Sequence, residues 1–392
     1  MSLKSKISLW LKMTKAAKVE KANDTKPLPD VTIDIDKAIH LGMEWLCRAQ
    51  DKSASADGGV ANFNLLSGWG ASYPETTGYI IPTMIEFAHK SSNDKYRVRA
   101  KQMLDWLVSI QHPDGGFQCG LIGYKPAIPV TFNTGQILLG LASGVKEFGD
   151  EYRPAMRLAA DWLVKSQSND GCWRQNPSPL TSPGEKSYET HVAWGLLEAA
   201  RMDPEKGYGE AALANAHWAI TQQNENGWFR NCCVTNADKP LTHTIGYVFR
   251  GLMEAYNYRE DAAILAACKK IAAGCISATD KNGFIAGRLN EDWTAAVQSA
   301  CLTGSVQIAH SLIMLYEVTK NIQYRDVAFT INRYVRSTVK SGGNTDIIGA
   351  VKGSFPVWGD YMAYQFPNWA CKFFIDSHLA EKKVRAEDNL AN

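Results

Sequence analysis

The chain has almost no net charge: 42 Lys and Arg against 40 Asp and Glu leave +2 over 392 residues. Without a field of one sign there is no electrostatic case for a nucleic-acid partner. It lacks an apolar run long enough to span a bilayer. Its nine cysteines are an odd number without framework spacing, and Cys47, Cys268, Cys301 and Cys371 fall on apolar helix faces. Reduced thiols in a cytoplasm are therefore expected rather than a disulfide scaffold. No P-loop, no dinucleotide glycine motif and no Gly-x-Ser-x-Gly elbow occurs, so no cofactor is expected. Neither Cys-x-x-Cys nor His-x-x-x-His spacing is present. Cys232-Cys233, His243 and Glu189-Thr190-His191 are the residues that could converge as zinc ligands, and no metal is expected. There is no β-rich stretch and no Pro/Ser-rich linker. Against these absences stand 45% hydrophobic residues and 12 Trp, ample for one large core.

What is present is a repeat. Gln111-His112-Pro113-Asp114-Gly115-Gly116-Phe117 returns as Gln167-Ser168-Asn169-Asp170-Gly171-Cys172-Trp173 and as Gln223-Asn224-Glu225-Asn226-Gly227-Trp228. Thr279-Asp280-Lys281-Asn282-Gly283-Phe284 is a weaker copy, and glycines 115, 171, 227 and 283 are spaced by 56 residues. A Trp precedes the Gln by five residues in Trp45/Gln50, Trp106/Gln111, Trp162/Gln167 and Trp218/Gln223. A period of this length means one supersecondary unit stacked several times. Each unit reads as an amphipathic helix, an Asp-Gly-aromatic turn, and a more apolar helix. The amphipathic set falls near 34–50, 96–111, 152–167, 208–223, 261–277 and 323–340. The apolar set starts near 76, 134, 190, 244, 303 and 361. A wholly apolar helix is buried and an amphipathic one is half-exposed. The expected fold is thus all-α, a six-hairpin (α/α)6 toroid over 30–380 with the apolar helices inside. A basic segment and linker (1–29) precede it and a polar tail (381–392) follows.

The inner helices open on a second repeated feature: Glu75-Thr76, Asn133-Thr134, Glu189-Thr190, His243-Thr244 and Leu302-Thr303. The Thr repeats, as a helix cap would, while its neighbour diversifies. That pattern suits a scaffold holding different groups around one mouth. Glu75, Glu189 and His243 are candidate general acids and bases, Tyr361 a candidate proton donor or acceptor beside them, and Tyr73, Asn133 and Tyr188 candidate binding residues. The alternative is that the two carboxylates only cap helices. Arg174 and Arg230 are phased just past the turns, with Arg288 two residues out of phase. Arginine's planar fork would suit a polyanion; a structural salt bridge to a turn Asp is the alternative. Trp69, Trp293 and Trp358 could stack on sugar faces or pack at the rim.

The turn copies at 111, 167 and 223 resemble those of the α/α toroid superfamily, in particular its squalene-cyclase and prenyltransferase group. The Asp-x-Asp-Asp acid motif of the cyclases has no counterpart here, nor has the prenyltransferase zinc set. Ser72-Tyr73-Pro74-Glu75-Thr76-Thr77-Gly78-Tyr79 and Gly353-Ser354-Phe355-Pro356-Val357-Trp358-Gly359-Asp360-Tyr361 look similar to toroid proteins of bacterial exopolysaccharide assembly. That resemblance implies an acidic polysaccharide or oligosaccharide as partner, acted on by a lyase, hydrolase or epimerase. An isoprenoid-handling toroid and a non-catalytic glycan-binding or assembly subunit are the alternatives. The N-terminus has no secretory apolar core. Its lysines (4, 6, 12, 15, 18, 21), with Leu3, Ile7, Trp10 and Leu11 at helical spacing, could rest on an anionic membrane face or contact assembly machinery; a basic leader without a role is the alternative. A cytoplasmic chain, peripheral at most to the inner membrane, is expected.

Overall fold

The computed structural model describes residues 13–29 and 32–391. After a short helix α1 (Lys15–Asn23), six outer helices alternate with six inner ones. The outer set is α2 (Ile35–Asp51), α4 (Asp94–Ser109), α6 (Arg153–Ser166), α8 (Tyr208–Thr221), α10 (Ala262–Ser277) and α12 (Ile322–Ser337). The inner set is α3 (Pro74–Ser91), α5 (Thr131–Phe148), α7 (Thr190–Met202), α9 (Thr242–Tyr258), α11 (Leu302–Thr319) and α13 (Asn368–Ala391). Each inner helix packs on the next, and α13 closes the ring against α3 and α2. The all-α toroid expected from the repeat is therefore the fold. Burial follows it: nearly every residue of α5 from Thr131 to Val145 is buried, whereas α4 buries only one stripe, including Tyr96, Met103, Leu104 and Leu107.

The repeated turn explains why the outer helices stack at this spacing. Gly171 has φ +90°, and a Cβ there would overlap the carbonyl of Ala214 in the next outer helix. The same relation joins Gly115 to Leu158, Gly227 to Lys270, Gly283 to Thr330 and Gly349 to Leu41. Only glycine combines this backbone conformation with so close an approach. The conserved-in-phase Gln completes the joint. Gln167 Nε2 donates to Gly171 O at 2.9 Å and to Ala211 O at 2.9 Å. Gln111 and Gln223 repeat both bonds, to Gly115 and Ala155 and to Gly227 and Ala267. The turn Asp or Asn caps its own bend: Asp170 Oδ1 accepts from Cys172 N and Asn226 Oδ1 from Trp228 N.

Where the ring closes, short strands take over. β1 (Phe63–Asn64) pairs antiparallel with β2 (Gly68–Trp69) and with β5 (Gln365–Phe366), register Phe63↔Phe366. β3 (Ala300–Cys301) pairs with β4 (Ser354–Phe355). The sixth inner helix thus starts at Asn368 and not near 361. Two prolines, 356 and 367, interrupt the segment and favour extended backbone before them, so Tyr361 lies in a loop. There Ser354 Oγ accepts from Tyr361 N (2.9 Å) and donates to Tyr361 O (2.6 Å).

Both ends differ from the sequence expectation. Residues 381–391 are not a separate tail but the last turns of α13. Glu381 is fully buried there, accepting from Asn332 Nδ2 at 3.0 Å and pairing with Arg385 at 2.8 Å. At the other end, Lys4, Lys6, Lys12, Leu3, Ile7, Trp10 and Leu11 lie outside the described residues, whereas Lys15, Lys18 and Lys21 are on α1. That helix docks on the ring: Met13 and Ala17 join the core, and Thr14 Oγ1 donates to Leu65 O. The buried Lys352 ammonium pairs with Glu20 (2.6 Å) and Asp24 (2.5 Å), and Asp24 Oδ2 accepts from Val357 N. Burial still holds the Asp24 pKa above its ordinary value despite Lys352. Among the described residues no helix is long and apolar enough to cross a membrane.

Two measurements check this reading. Gly171→Ala is expected to cost about 2 kcal/mol or more in denaturant unfolding. Gly149→Ala, at φ +100° with nothing within 4 Å, carries the backbone strain alone and should cost clearly less. Lys352→Met leaves Glu20 and Asp24 buried without their cation, a loss of about 3–5 kcal/mol. It should release α1, read as new proteolytic cleavage within residues 13–29 while the ring stays intact.

Candidate functional site

The outer-to-inner turns all gather at the end of the ring where the inner helices begin. Thr134 Oγ1 accepts from Phe117 N (2.9 Å) and donates to Val130 O (2.8 Å), tying turn to helix. In the first unit the same job falls to Thr77, which accepts from Val60 N and donates to Tyr73 O. Unit one is therefore one residue out of step with the phasing read from the sequence. Its counterpart to Thr134 is Thr77, and both Thr76 and Glu75 face the lumen.

The lumen holds a cavity of about 190 Å³. Five expected residues meet in it beside Thr76: Glu75, Asn133, Tyr188, His243 and Tyr361, with Tyr73 at the edge. Tyr79 and Tyr247 add two more phenols, and Phe132, Leu241 and Trp369 supply apolar wall. The loop residues Ser178, Leu180, Thr181 and Val234 complete the lining. Glu189 does not join them. It lines an adjoining pocket that shares Phe132, Ser178, Thr181 and Tyr188 with the first. The reason is local: Ser187–Glu189 forms a 3-10 turn ahead of α7, which places Tyr188 toward the lumen and Glu189 on its far side.

Burial tunes the carboxyl and the imidazole of the cavity in opposite directions. Desolvation pushes the Glu75 carboxyl up to about 8, with a Tyr73 hydrogen bond opposing. Desolvation pulls His243 down to about 4, with Gln307 opposing. At neutral pH Glu75 is therefore a protonated donor and His243 an uncharged acceptor. Gln307 Oε1 lies 2.7 Å from His243 Nδ1. An amide oxygen accepts only from a protonated Nδ1, so the ring's lone pair is on Nε2. The His243 ring is tilted against Tyr247, centroids 4.3 Å apart, and against Tyr361 at 5.5 Å, whose hydroxyl accepts from Trp369 Nε1 at 2.9 Å. His191 and Gln136 repeat the pairing at 2.6 Å on the other face of Tyr247.

The arginines and tryptophans proposed from sequence lie outside the lumen cavity, Arg174 on the wall of the adjoining pocket. Arg174 grips Asp170 of its own turn through two 2.7 Å bonds and Glu185 through a third, holding the Asp170 carboxyl down at about 2. Arg230 bonds Asn224 Oδ1 and Thr221 O. Arg288 pairs with Asp360 and donates to Lys239 O. In each case acceptors within reach take the guanidinium, from its own turn or helix end for Arg174 and Arg230 and from neighbouring loops for Arg288. Trp69 packs on Trp45 and Phe63 and donates to Asp346. Trp293 is buried edge-on against Trp228 and donates to Asn226 O. Trp358 is 38% exposed outside the cavity, with the Lys21 ammonium 5.8 Å from its ring. Sequence reasoning missed Phe132, Trp369 and Gln307. For Gln307 a signal existed: it is a polar residue inside an otherwise apolar inner helix, as is Gln136. Cys232 and Cys233 are buried and free, and among the described residues no three His, Cys, Asp or Glu side chains cluster as metal ligands would.

No family model matches the chain. Solved structures do match over nearly their whole length. An unsaturated glucuronyl hydrolase specific for heparin superposes with a TM-score of 0.71 at 14% identity, covering 90% of this chain and 98% of its own. A D-mannose isomerase gives 0.70 at 13% identity, covering 91% and 100%. The cellobiose 2-epimerase of Bacillus thermoamylovorans B4167 gives 0.66 at 11%, covering 89% and 99%. At such identities the likeness is one of fold, and it makes this chain structurally similar to α/α toroids across nearly its entire length.

Proposed function

We propose that the chain is a carbohydrate-active enzyme that moves a proton on a sugar held in the lumen, as an epimerase, isomerase or lyase. One observation carries this reading: a protonated carboxyl and an uncharged imidazole, Glu75 and His243, face the same tyrosine-ringed cavity. His243 Nε2 takes the proton from carbon, and Glu75 donates to the oxygen on which charge develops. The phenols of Tyr79, Tyr247 and Tyr361 offer hydroxyls to a polyol while their rings and Phe132 cover its apolar face. Such mixed lining fits a sugar better than an isoprenoid chain, and a tuned acid and base would be idle in a purely binding subunit. The superposed structures, a glycan hydrolase, a sugar isomerase and a sugar epimerase, support the substrate class. Hydrolysis is the second reading, because Glu189 stands in the contiguous pocket. The paired-carboxyl form of that reaction needs both groups flanking one bond, and among the described residues Glu75 is the one carboxyl lining the lumen. Bacterial exopolysaccharide biosynthesis, in the cytoplasm and peripheral at most to the membrane, is the setting that the segments 72–79 and 353–361 support by resemblance.

The test is a panel of mono- and oligosaccharides, uronates included, incubated in deuterium oxide. Deuterium at a stereogenic carbon reports epimerisation, ultraviolet absorbance an unsaturated lyase product, and new reducing ends hydrolysis. Glu75→Gln and His243→Ala should each lower kcat/KM by about 10²–10⁴-fold with the fold retained; activity equal to wild type in both would exclude the pair. The pH profile has a fixed sign. His243 must be unprotonated, so activity falls below about 4, and Glu75 must hold its proton, so activity falls above about 8. A rate that instead climbs through pH 8 would make ionised Glu75 the working form.

A further inference from the structure

The adjoining pocket has a volume of about 240 Å³. Lys186 lines it, only 6% exposed. Its ammonium donates to Ser182 Oγ at 3.0 Å; among the described residues no carboxylate forms a salt bridge with it, and Glu189 is the carboxyl that feels its charge. A buried cation without a counter-ion is costly, and removing such a charge is often neutral or stabilising. Glu189 lines the same pocket, 7% exposed, and its Oε2 has no hydrogen-bond partner. Burial lifts this carboxyl to about 8 even against the opposing charge of Lys186, so near neutrality it carries a proton and donates instead of repelling an anion. Arg174, on the same wall, is already committed to Asp170 and Glu185. Trp173 adds an aromatic face, and Phe132 and Tyr188 are common to both pockets.

We infer that this pocket receives a carboxylate-bearing sugar residue next to the one in the lumen, with Lys186 as its counter-ion and Glu189 as its hydrogen-bond donor. The inference rests on the carbohydrate reading above and specifies it: the substrate class becomes a uronate-containing disaccharide or longer glycan. The acidity expected of the ligand is then met by one buried lysine and not by the phased arginines.

The experiment titrates the full chain, by calorimetry and tryptophan fluorescence, with a glucuronyl-glucose disaccharide, with cellobiose and with free glucuronate. Wild type should bind the glucuronyl disaccharide about tenfold or more tightly than cellobiose, as close charge pairs at interfaces allow. Lys186→Met should erase that preference, leave cellobiose affinity unchanged, and keep or raise Tm. Glu189→Gln, which still donates, should retain most of the preference; Glu189→Leu should not. A preference that survives Lys186→Met, or a wild type without one, overturns the inference. Turnover measured with Glu75→Gln separates the two claims. Lys186-dependent glucuronate binding without turnover in wild type would keep the pocket and sink the proposed chemistry, and the converse result would do the reverse.

Discussion

Every other feature of this molecule depends on one contact: the turn glycine of each unit pressed against the backbone of the next outer helix, from Gly115 on Leu158 round to Gly349 on Leu41. Side-chain packing alone tolerates slippage between helices. A glycine seated on a carbonyl, locked by a Gln that bonds both the turn and that neighbouring helix, does not. The outer ring is thereby spaced by backbone, and the inner helices, joined through the same turns, inherit their register. Because that register is set at the turn end, the starts of the inner helices are the best-positioned points in the fold. A catalytic pair needs placement to within a fraction of an ångström, and Glu75 and His243 sit where it is available.

The chemistry then follows from what surrounds those points. Nothing ionic within reach of Glu75 or His243 offsets burial, so desolvation leads for both and drives an acid and a base toward their uncharged forms. The tyrosines contribute hydroxyls without charge, which keeps the dielectric low and the two groups apart in pKa. Lys186 is the exception, an ammonium held by the Ser182 hydroxyl and not, among the described residues, by a carboxylate in salt-bridge contact.

Much of this was legible in the sequence, and the parts that were not have identifiable causes. Period and turn chemistry are local, so six hairpins and the placement of Asn133, His243 and Tyr188 could be read from spacing. The sixth inner helix could not be phased, because the pattern there is overwritten by Pro356, Pro367 and the β3–β4 and β1–β5 pairings across the closure. Thr76 was taken for Thr77 because two threonines stand side by side and only the bond from Val60 N distinguishes them. Glu189 and the arginines went astray for one reason: a spacing rule gives the residue's place on the rim, but not which way a 3-10 turn points it or which acceptor reaches it first.

The β1–β5 pairing and the Gly349–Leu41 contact mean that this array has no terminal repeat. An open stack of hairpins can grow or shrink by a unit at the cost of one interface. Here a seventh hairpin would break the closure, and a missing one would collapse the lumen. Variation in chain length is therefore left to the loops, and the longer of these lie between outer and inner helices. Those loops, with Ser178, Leu180, Val234 and Tyr361 among their residues, are also walls of the cavity. The longest loops of the ring are thus the part that decides what may enter, so a change of specificity need not disturb the ring that holds it.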